Sequence, residues 1–305
     1  MGLTLDQALA RVPMWRGARD LKTTPLGGGI TNQNFRVDVS GESFVLRIGG
    51  ENTELLGIHR EHERAANEAA ARIGIAPEVV YFIEPEGYLV TRFVNGRPLP
   101  REEIGKPENI RRVAASLKRI HALPAIPGAF SPFRTVEDYT AIARRYGVTF
   151  PNNFDWLMAR LREIETAFLR DPFTPCPCHN DLLNENFLVE DPRQGNDGAI
   201  RILDWEYAGM GDIAFDLANF AVHHSFNDEQ DQFLLECYFG EATPRRVARH
   251  RLMKIASDCR EAMWGMVQVG ISKLDFDFRA YADKHFSRMV EMIRDARYAE
   301  WVAEF

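Results

Sequence analysis

The sequence predicts an α/β (α+β) chain of two lobes: an N-lobe over 1–94 with a five-stranded sheet and one helix, and a mostly helical C-lobe over 95–305. Three observations predict it. Short β-rich runs parted by turn residues fill the first third of the chain. Stretches with helical periodicity fill most of the rest. One strongly polar hairpin, between His179 and Phe220, interrupts the helices.

In chain order, LKTTPL, GGGITNQ, NFRVDV, a Gly-Glu turn and FVLRI read as three antiparallel strands joined tightly. HREHERAANEAAARI, His59 to Ile73, is rich in Ala, Glu and Arg and free of Gly and Pro, so it forms a helix. Gly74 ends it at a left-handed cap. VVYFIE and YLVTRF add two strands around Pro85 to Gly87. After Asn95-Gly96-Arg97-Pro98 the period changes, and helices are expected at 107–122, 135–146, 153–170, 212–224, 227–239 and 244–269. Inside the polar stretch, FLV (Phe187 to Val189) and IRIL (Ile200 to Leu203) are strands parted by a turn of Asp, Pro, Gly and Asn. A cleft between a sheet lobe and a helical lobe is the expected ligand site.

At 305 residues the chain buries a sizeable core, and its 45% hydrophobic and 27% charged residues are ordinary globular composition. A formal charge of -7 and a pI near 5.7 argue against nucleic acid and suit a cationic small molecule better. No run of about 18 apolar residues predicts a membrane span. MGLTLDQALARVPMWRG lacks the basic start and apolar run of a secretory signal, and Asp6 stands where a myristoylation motif has Ser or Thr. Cys176, Cys178, Cys237 and Cys259 are expected as reduced thiols, and Cys-Pro-Cys-His has no zinc-knuckle spacing. A cytoplasmic protein is expected, and a homodimer stays open.

The chemistry-bearing residues come in a definite order. Leu26 to Phe35 is a glycine-rich strand–loop–strand in which Gly28, Gly29, Thr31, Asn32 and Asn34 are candidates to approach a nucleotide phosphate. Alone it would be a hairpin tip, and it is no Walker A loop, since no Gly-Lys-Ser/Thr follows. Arg47 in the next strand is a candidate phosphate ligand, with Glu63 on the following helix to pair with it; Glu61 is a weaker partner and Glu68 lies on the solvated face. His179-Asn180-Asp181-Leu182-Leu183-Asn184-Glu185-Asn186 fits H-x-D-x-x-x-x-N, the spacing of the protein-kinase catalytic loop. Asp204, in Asp204-Trp205-Glu206, falls where the Mg²⁺-binding Asp of Asp-Phe-Gly would be. A turn that uses Asp and Asn for local hydrogen bonds is the plainer reading of any one motif. The whole set, in kinase order, points instead to a two-lobed protein-kinase-like fold. Mg²⁺ takes hard oxygen donors, which Asp204 and Asn186 would supply, with Asp181 orienting the attacking hydroxyl. Thr91 to Phe93 would face adenine.

From about Leu26 to Tyr281 the chain resembles the choline/ethanolamine kinase family, within the aminoglycoside-phosphotransferase-like group. ILDWEYAGMGDIAFDLANF (Ile202 to Phe220), Arg47 in place of a lysine, and Glu261 to Gln268 continued by ISKLDFDFRAYADKHFSRM carry the resemblance. It implies phosphorylation of a small cationic alcohol, choline or ethanolamine, at the expense of ATP with Mg²⁺. It implies an aromatic box of Trp264 and Tyr207, with Phe226 a further candidate, backed by the charges of Glu206 and Asp181. Val267 stands where the family often has a second Trp, so the box is one aromatic short. Trp264 as a plain core aromatic carries equal weight. Asp216 would hold the backbone of the catalytic loop, Asp212 would cap a helix, and His121, His223 and His224 are expected as surface or interlobe groups. Two alternatives remain: a kinase for another hydroxyl compound (thiamine, an aminoglycoside or a sugar), and a nucleotide-binding module without turnover.

Overall fold

Period-two burial builds the first sheet: in Glu42–Ile48, Phe44, Leu46 and Ile48 are buried while Ser43, Val45 and Arg47 between them are half-buried. The computed structural model describes residues 2–27, 32–191 and 198–305. Up to the middle of the chain the elements are α1 (Leu5–Arg11), β1 (Lys22–Leu26), β2 (Gln33–Val39), β3 (Glu42–Ile48), α2 (Arg60–Arg72), β4 (Val79–Ile83), β5 (Tyr88–Arg92), β6 (Gly96–Pro98), α3 (Arg101–Ile104) and α4 (Pro107–His121). Then come α5 (Pro132–Arg145), α6 (Phe154–Phe168), β7 (Cys176–Cys178), β8 (Phe187–Glu190), β9 (Ile200–Ile202) and β10 (Gly209–Gly211). The chain closes with α7 (Ile213–His223), α8 (Asp228–Phe239), α9 (Pro244–Ile271), α10 (Phe278–Ile293) and α11 (Tyr298–Ala303).

Residues 1–100 and 183–208 form one compact unit. Its sheet runs β1-β2-β3-β5-β4 and is antiparallel throughout, which is the five-stranded sheet the sequence predicts. One face packs Val37, Phe44, Leu46, Ile83 and Val90 on Ala8, Val12 and Trp15 from the chain start. The other face carries Arg47, which meets α2. Helix α1 is absent from the expected elements because seven residues give too short a period to read. Its signal is local: Thr4 and Gln7 make a reciprocal capping box. Gly74 follows α2 at φ +71°, the left-handed cap expected there.

The expected boundary at 94/95 and the compact units part company at the polar hairpin. Strand β6 pairs β8, β8 pairs β9, and the Ile202 N–H donates to the Ile75 oxygen at 2.9 Å, so 183–208 belongs with the sheet unit. Gly96 permits that pairing, since a Cβ there would lie 2.5 Å from the Val189 carbonyl oxygen.

Residues 101–182 and 209–305 form the second, helical unit. Its axis is α9, 28 residues long and buried on all sides from Ile255 to Gln268, with α5, α7 and α10 packed around it. Gly265 lets α10 come close: a Cβ would sit 3.0 Å from the Phe278 oxygen and 3.1 Å from Ala282. Asp212 caps α7 by accepting from the Ala214 N–H at 2.9 Å, as expected. Helices α10 and α11 were outside the expected set, although Phe278, Ala282, His285, Phe286 and Met289 on α10 fall on one buried face. No helix among the described residues is long and apolar enough to cross a membrane.

Candidate active site

The first unit gathers an ion network around Arg47. Strand β3 presents Arg47 toward α2, where it pairs with Glu63, and its Nη1 donates to Asp204 Oδ1 at 2.7 Å. Arg60, one turn before Glu63, donates to Glu63 Oε2 at 2.8 Å and to Glu206 Oε2 at 3.0 Å. Asn32 closes the network, giving its Nδ2 to Glu206 Oε2 at 3.0 Å and taking the Gly50 N–H at 3.4 Å. Asn34 lies directly across from Arg47 in the β2–β3 register. Two cations thus face three carboxylates, and Glu63 is 2% exposed, so each charge has a partner within reach.

Asp204 sits at φ +61°, a left-handed position that Asp tolerates better than most residues. The Leu203 N–H donates to the Asn186 backbone oxygen at 2.9 Å, which ties the two predicted metal-holding residues to one backbone bridge. Burial pushes the Asp204 carboxyl up to about 6, Glu206 adds to the push, and Arg47 and Arg60 pull against it. The carboxylate oxygens of Asp204 and the amide oxygen of Asn186 are hard donors of the kind Mg²⁺ takes. These residues fit a divalent cation.

The second unit holds the loop that carries Asp181. Asp216 on α7 accepts the N–H groups of His179 (2.9 Å) and Asn180 (2.7 Å), and the Leu182 N–H donates to Asn219 Oδ1 at 2.7 Å, three residues further along the same helix face. Asn180 takes a left-handed turn at φ +65° between them, and the Asp181 N–H donates to His179 Nδ1 at 3.2 Å. The side chain of His121, expected as a surface or interlobe group, is 4% exposed and lies between Asp216 Oδ2 (3.0 Å) and the Tyr238 hydroxyl (2.6 Å). The His223 side chain, 8% exposed, stands 3.4 Å from Glu261.

Burial alone would raise the Asp216 carboxyl, yet His121 and the backbone N–H groups hold it below the usual carboxylate range. Glu261 is likewise held well below that range, against its burial, by Arg260 and His223. Folded carboxyls that titrate below their unfolded values add stability above roughly pH 4, and lose it as pH falls through the folded value. Thermal melts should therefore weaken in acid, and Asp216→Asn should lower Tm at neutral pH while flattening that acid loss. An unchanged slope in the variant would contradict this account of Asp216.

The remaining predicted residues fall as follows. Gly28, Gly29 and Thr31 lie outside the described residues. Thr91 stands inside β5 in register with both β3 and β4, and the Phe93 N–H donates to the Ser43 oxygen at 3.0 Å. The Phe93 ring lies under Arg36 at 4.4 Å. A cavity of about 670 Å³ opens beside Phe93, Val94 and Asn95, lined also by Arg72, Glu190 and Arg201. It includes Phe93 and none of Arg47, Asn186 or Asp204. Glu206 is paired with Arg60 and belongs to the first unit, as does half-buried Tyr207. Trp264, 8% exposed, packs edge-on against Phe278 (5.7 Å) and Tyr281 (5.4 Å) in the second unit. Arg60, Asn219, Arg260 and Glu261 were missed as partners in the two networks. Only the i, i+3 spacing of Arg60 and Glu63 was readable beforehand.

Residues 22–250 match the phosphotransferase enzyme family. Protein LicA of Haemophilus influenzae is 30% identical over 246 residues, covering 78% of this chain and 70% of LicA. Human ethanolamine kinase 2 is 26% identical over 305 aligned positions, covering 90% of this chain and 77% of the kinase. The crystal structure of a choline/ethanolamine kinase family protein from Mesorhizobium loti superposes with a TM-score of 0.82 at 30% identity, covering 97% of this chain and 96% of that one. The chain belongs to the phosphotransferase enzyme family, in its choline/ethanolamine kinase group. Its five-stranded sheet unit and helical unit are the kinase-like architecture expected from the motifs.

Proposed function

We propose that the protein transfers the γ-phosphoryl group of ATP to the hydroxyl of a small cationic alcohol, choline or ethanolamine. The O–H bond of the alcohol and the bond between the β,γ-bridging oxygen and γ-phosphorus break, a new P–O bond forms, and ADP, a phosphomonoester and a proton leave. The observation that carries this reading is the joint presence of Asp181, Asn186 and Asp204 with the Arg47–Glu63 pair. A binding module has no need of all of them.

Arg47, fixed by Glu63, would hold phosphate oxygens by its guanidinium fork. Asn186 and Asp204 would hold Mg²⁺, which when bound offsets phosphate charge. Asp181, on a loop clamped by Asp216 and Asn219, would orient the hydroxyl and accept its proton. Most of the rate gain would come from positioning and charge compensation. Asn32, Asn34, Arg47, Glu63, Thr91 and Phe93 would serve the nucleotide, and Asp181, Glu206, Tyr207 and Trp264 would serve the alcohol.

An ATP-consumption panel with choline, ethanolamine, thiamine and kanamycin tests the assignment. Turnover with choline or ethanolamine is expected, and turnover confined to thiamine or kanamycin would overturn the substrate class. Trp264 gives a finer check. A cation–π contact of about 0.5–2 kcal/mol corresponds to a several-fold rise in the alcohol KM for Trp264→Ala. The KM for ATP should not move, and Trp264→Phe, which keeps an aromatic face against Tyr281, should recover part of the loss. If neither variant changes the alcohol KM, Trp264 serves only to pack α9 on α10.

A further inference from the structure

Arg260 is 1% exposed in the middle of α9, and Glu261 beside it is 2% exposed. Adjacent residues on a helix point about 100° apart and do not face each other. Yet Arg260 Nη1 donates to Glu261 Oε1 at 2.5 Å, and the same nitrogen lies 3.4 Å from Asp181 Oδ1. The two side chains meet because both reach toward the loop that carries Asp181. A buried guanidinium is costly, and one serving only the core would pair as well with a carboxylate one helical turn away.

The rest of the cluster holds Glu261 in place. The Tyr281 hydroxyl donates to its Oε2 at 2.7 Å, and the Asn219 amide reaches its Oε1 at 3.5 Å. His223 Nε2 stands 3.4 Å from Oε1. Asn219 is also the acceptor for the Leu182 N–H, so one side chain spans the loop backbone and the carboxylate that anchors Arg260. The N–H groups of residues 179 to 182 are fixed by Asp216, His179 and Asn219, and Arg260 adds a hydrogen bond to the Asp181 carboxylate itself at 3.4 Å.

We infer that Arg260, anchored by Glu261, is a positioning residue that holds the Asp181 carboxylate in the orientation needed to take the proton of the acceptor hydroxyl. The inference rests on the reading of Asp181 as the proton acceptor. Arg260 acts through Asp181 and touches neither substrate nor nucleotide. Its loss lowers turnover without weakening ATP binding, because misplacing a catalytic group by about 1 Å costs on the order of 100-fold in rate.

A double-variant cycle on the full chain tests it, with kcat and both KM values measured for wild type, Arg260→Gln, Arg260→Lys, Asp181→Asn and Asp181→Asn with Arg260→Gln. Arg260→Gln should lower kcat by about 100-fold with the KM for ATP unmoved. Arg260→Lys, which keeps the buried charge and so guards against a folding defect, should recover part of that loss. In the Asp181→Asn background Arg260→Gln should cost nothing further, since residues that act as one unit are not additive. An Asp181→Asn variant that keeps wild-type turnover would remove the reading of Asp181 beneath the inference. An inactive Asp181→Asn together with an Arg260→Gln of wild-type kcat, or with equal Arg260→Gln losses in both backgrounds, would overturn the inference alone.

Discussion

Asp181→Asn should lower kcat by about 10²–10⁴-fold while the affinity for ATP stays near that of the wild type, because the carboxylate acts on the hydroxyl proton in the transition state. The substitution keeps the size of the side chain and removes its basicity. Asp216 and Asn219 grip the loop through backbone N–H groups of residues 179, 180 and 182, so the loop should keep its shape in the variant. Calorimetric titration with ATP beside steady-state turnover separates the two effects. A variant with near wild-type kcat would take Asp181 out of the chemistry.

Asp204→Ala should be as damaging by a different route. Turnover should fall by about 10²–10³-fold or more, and the part of ATP affinity that depends on Mg²⁺ should disappear. The fold should survive, because Arg47 keeps Glu63 and Arg60 keeps both Glu63 and Glu206. Calorimetry of ATP binding with Mg²⁺ and with a chelator reads the outcome. A Mg²⁺ dependence equal to that of the wild type would remove Asp204 from the metal site.

The sheet unit was legible because its strands are short, alternating and parted by Gly, Asn and Pro, and α2 because it holds no breaker over thirteen residues. The Arg47–Glu63 pair was legible for the same reason: a strand cation followed by a helix with carboxylates in its first turns has few places to point. Arg60 was not, since its contact with Glu206 joins residues 146 apart and depends on where the hairpin docks. Arg260 and Glu261 read as two ordinary charges on a long helix, and nothing in local spacing says that both lie under 3% exposure beside Asp181. His121 was read as a surface or interlobe group, and its contact with Asp216, 95 residues away, is one that no local pattern reveals. The hairpin was recognised as two strands, but its membership of the sheet unit comes from β6, a three-residue strand too short to announce itself.

Phosphorus NMR of a reaction holding the protein, ATP, Mg²⁺ and either choline or ethanolamine tests the central claim most directly. The account predicts a phosphomonoester of the added alcohol that grows in step with ADP for at least one of the two, and that stops when Mg²⁺ is chelated. ATP converted only to ADP and inorganic phosphate with both alcohols, or no ATP consumed with either, would contradict it.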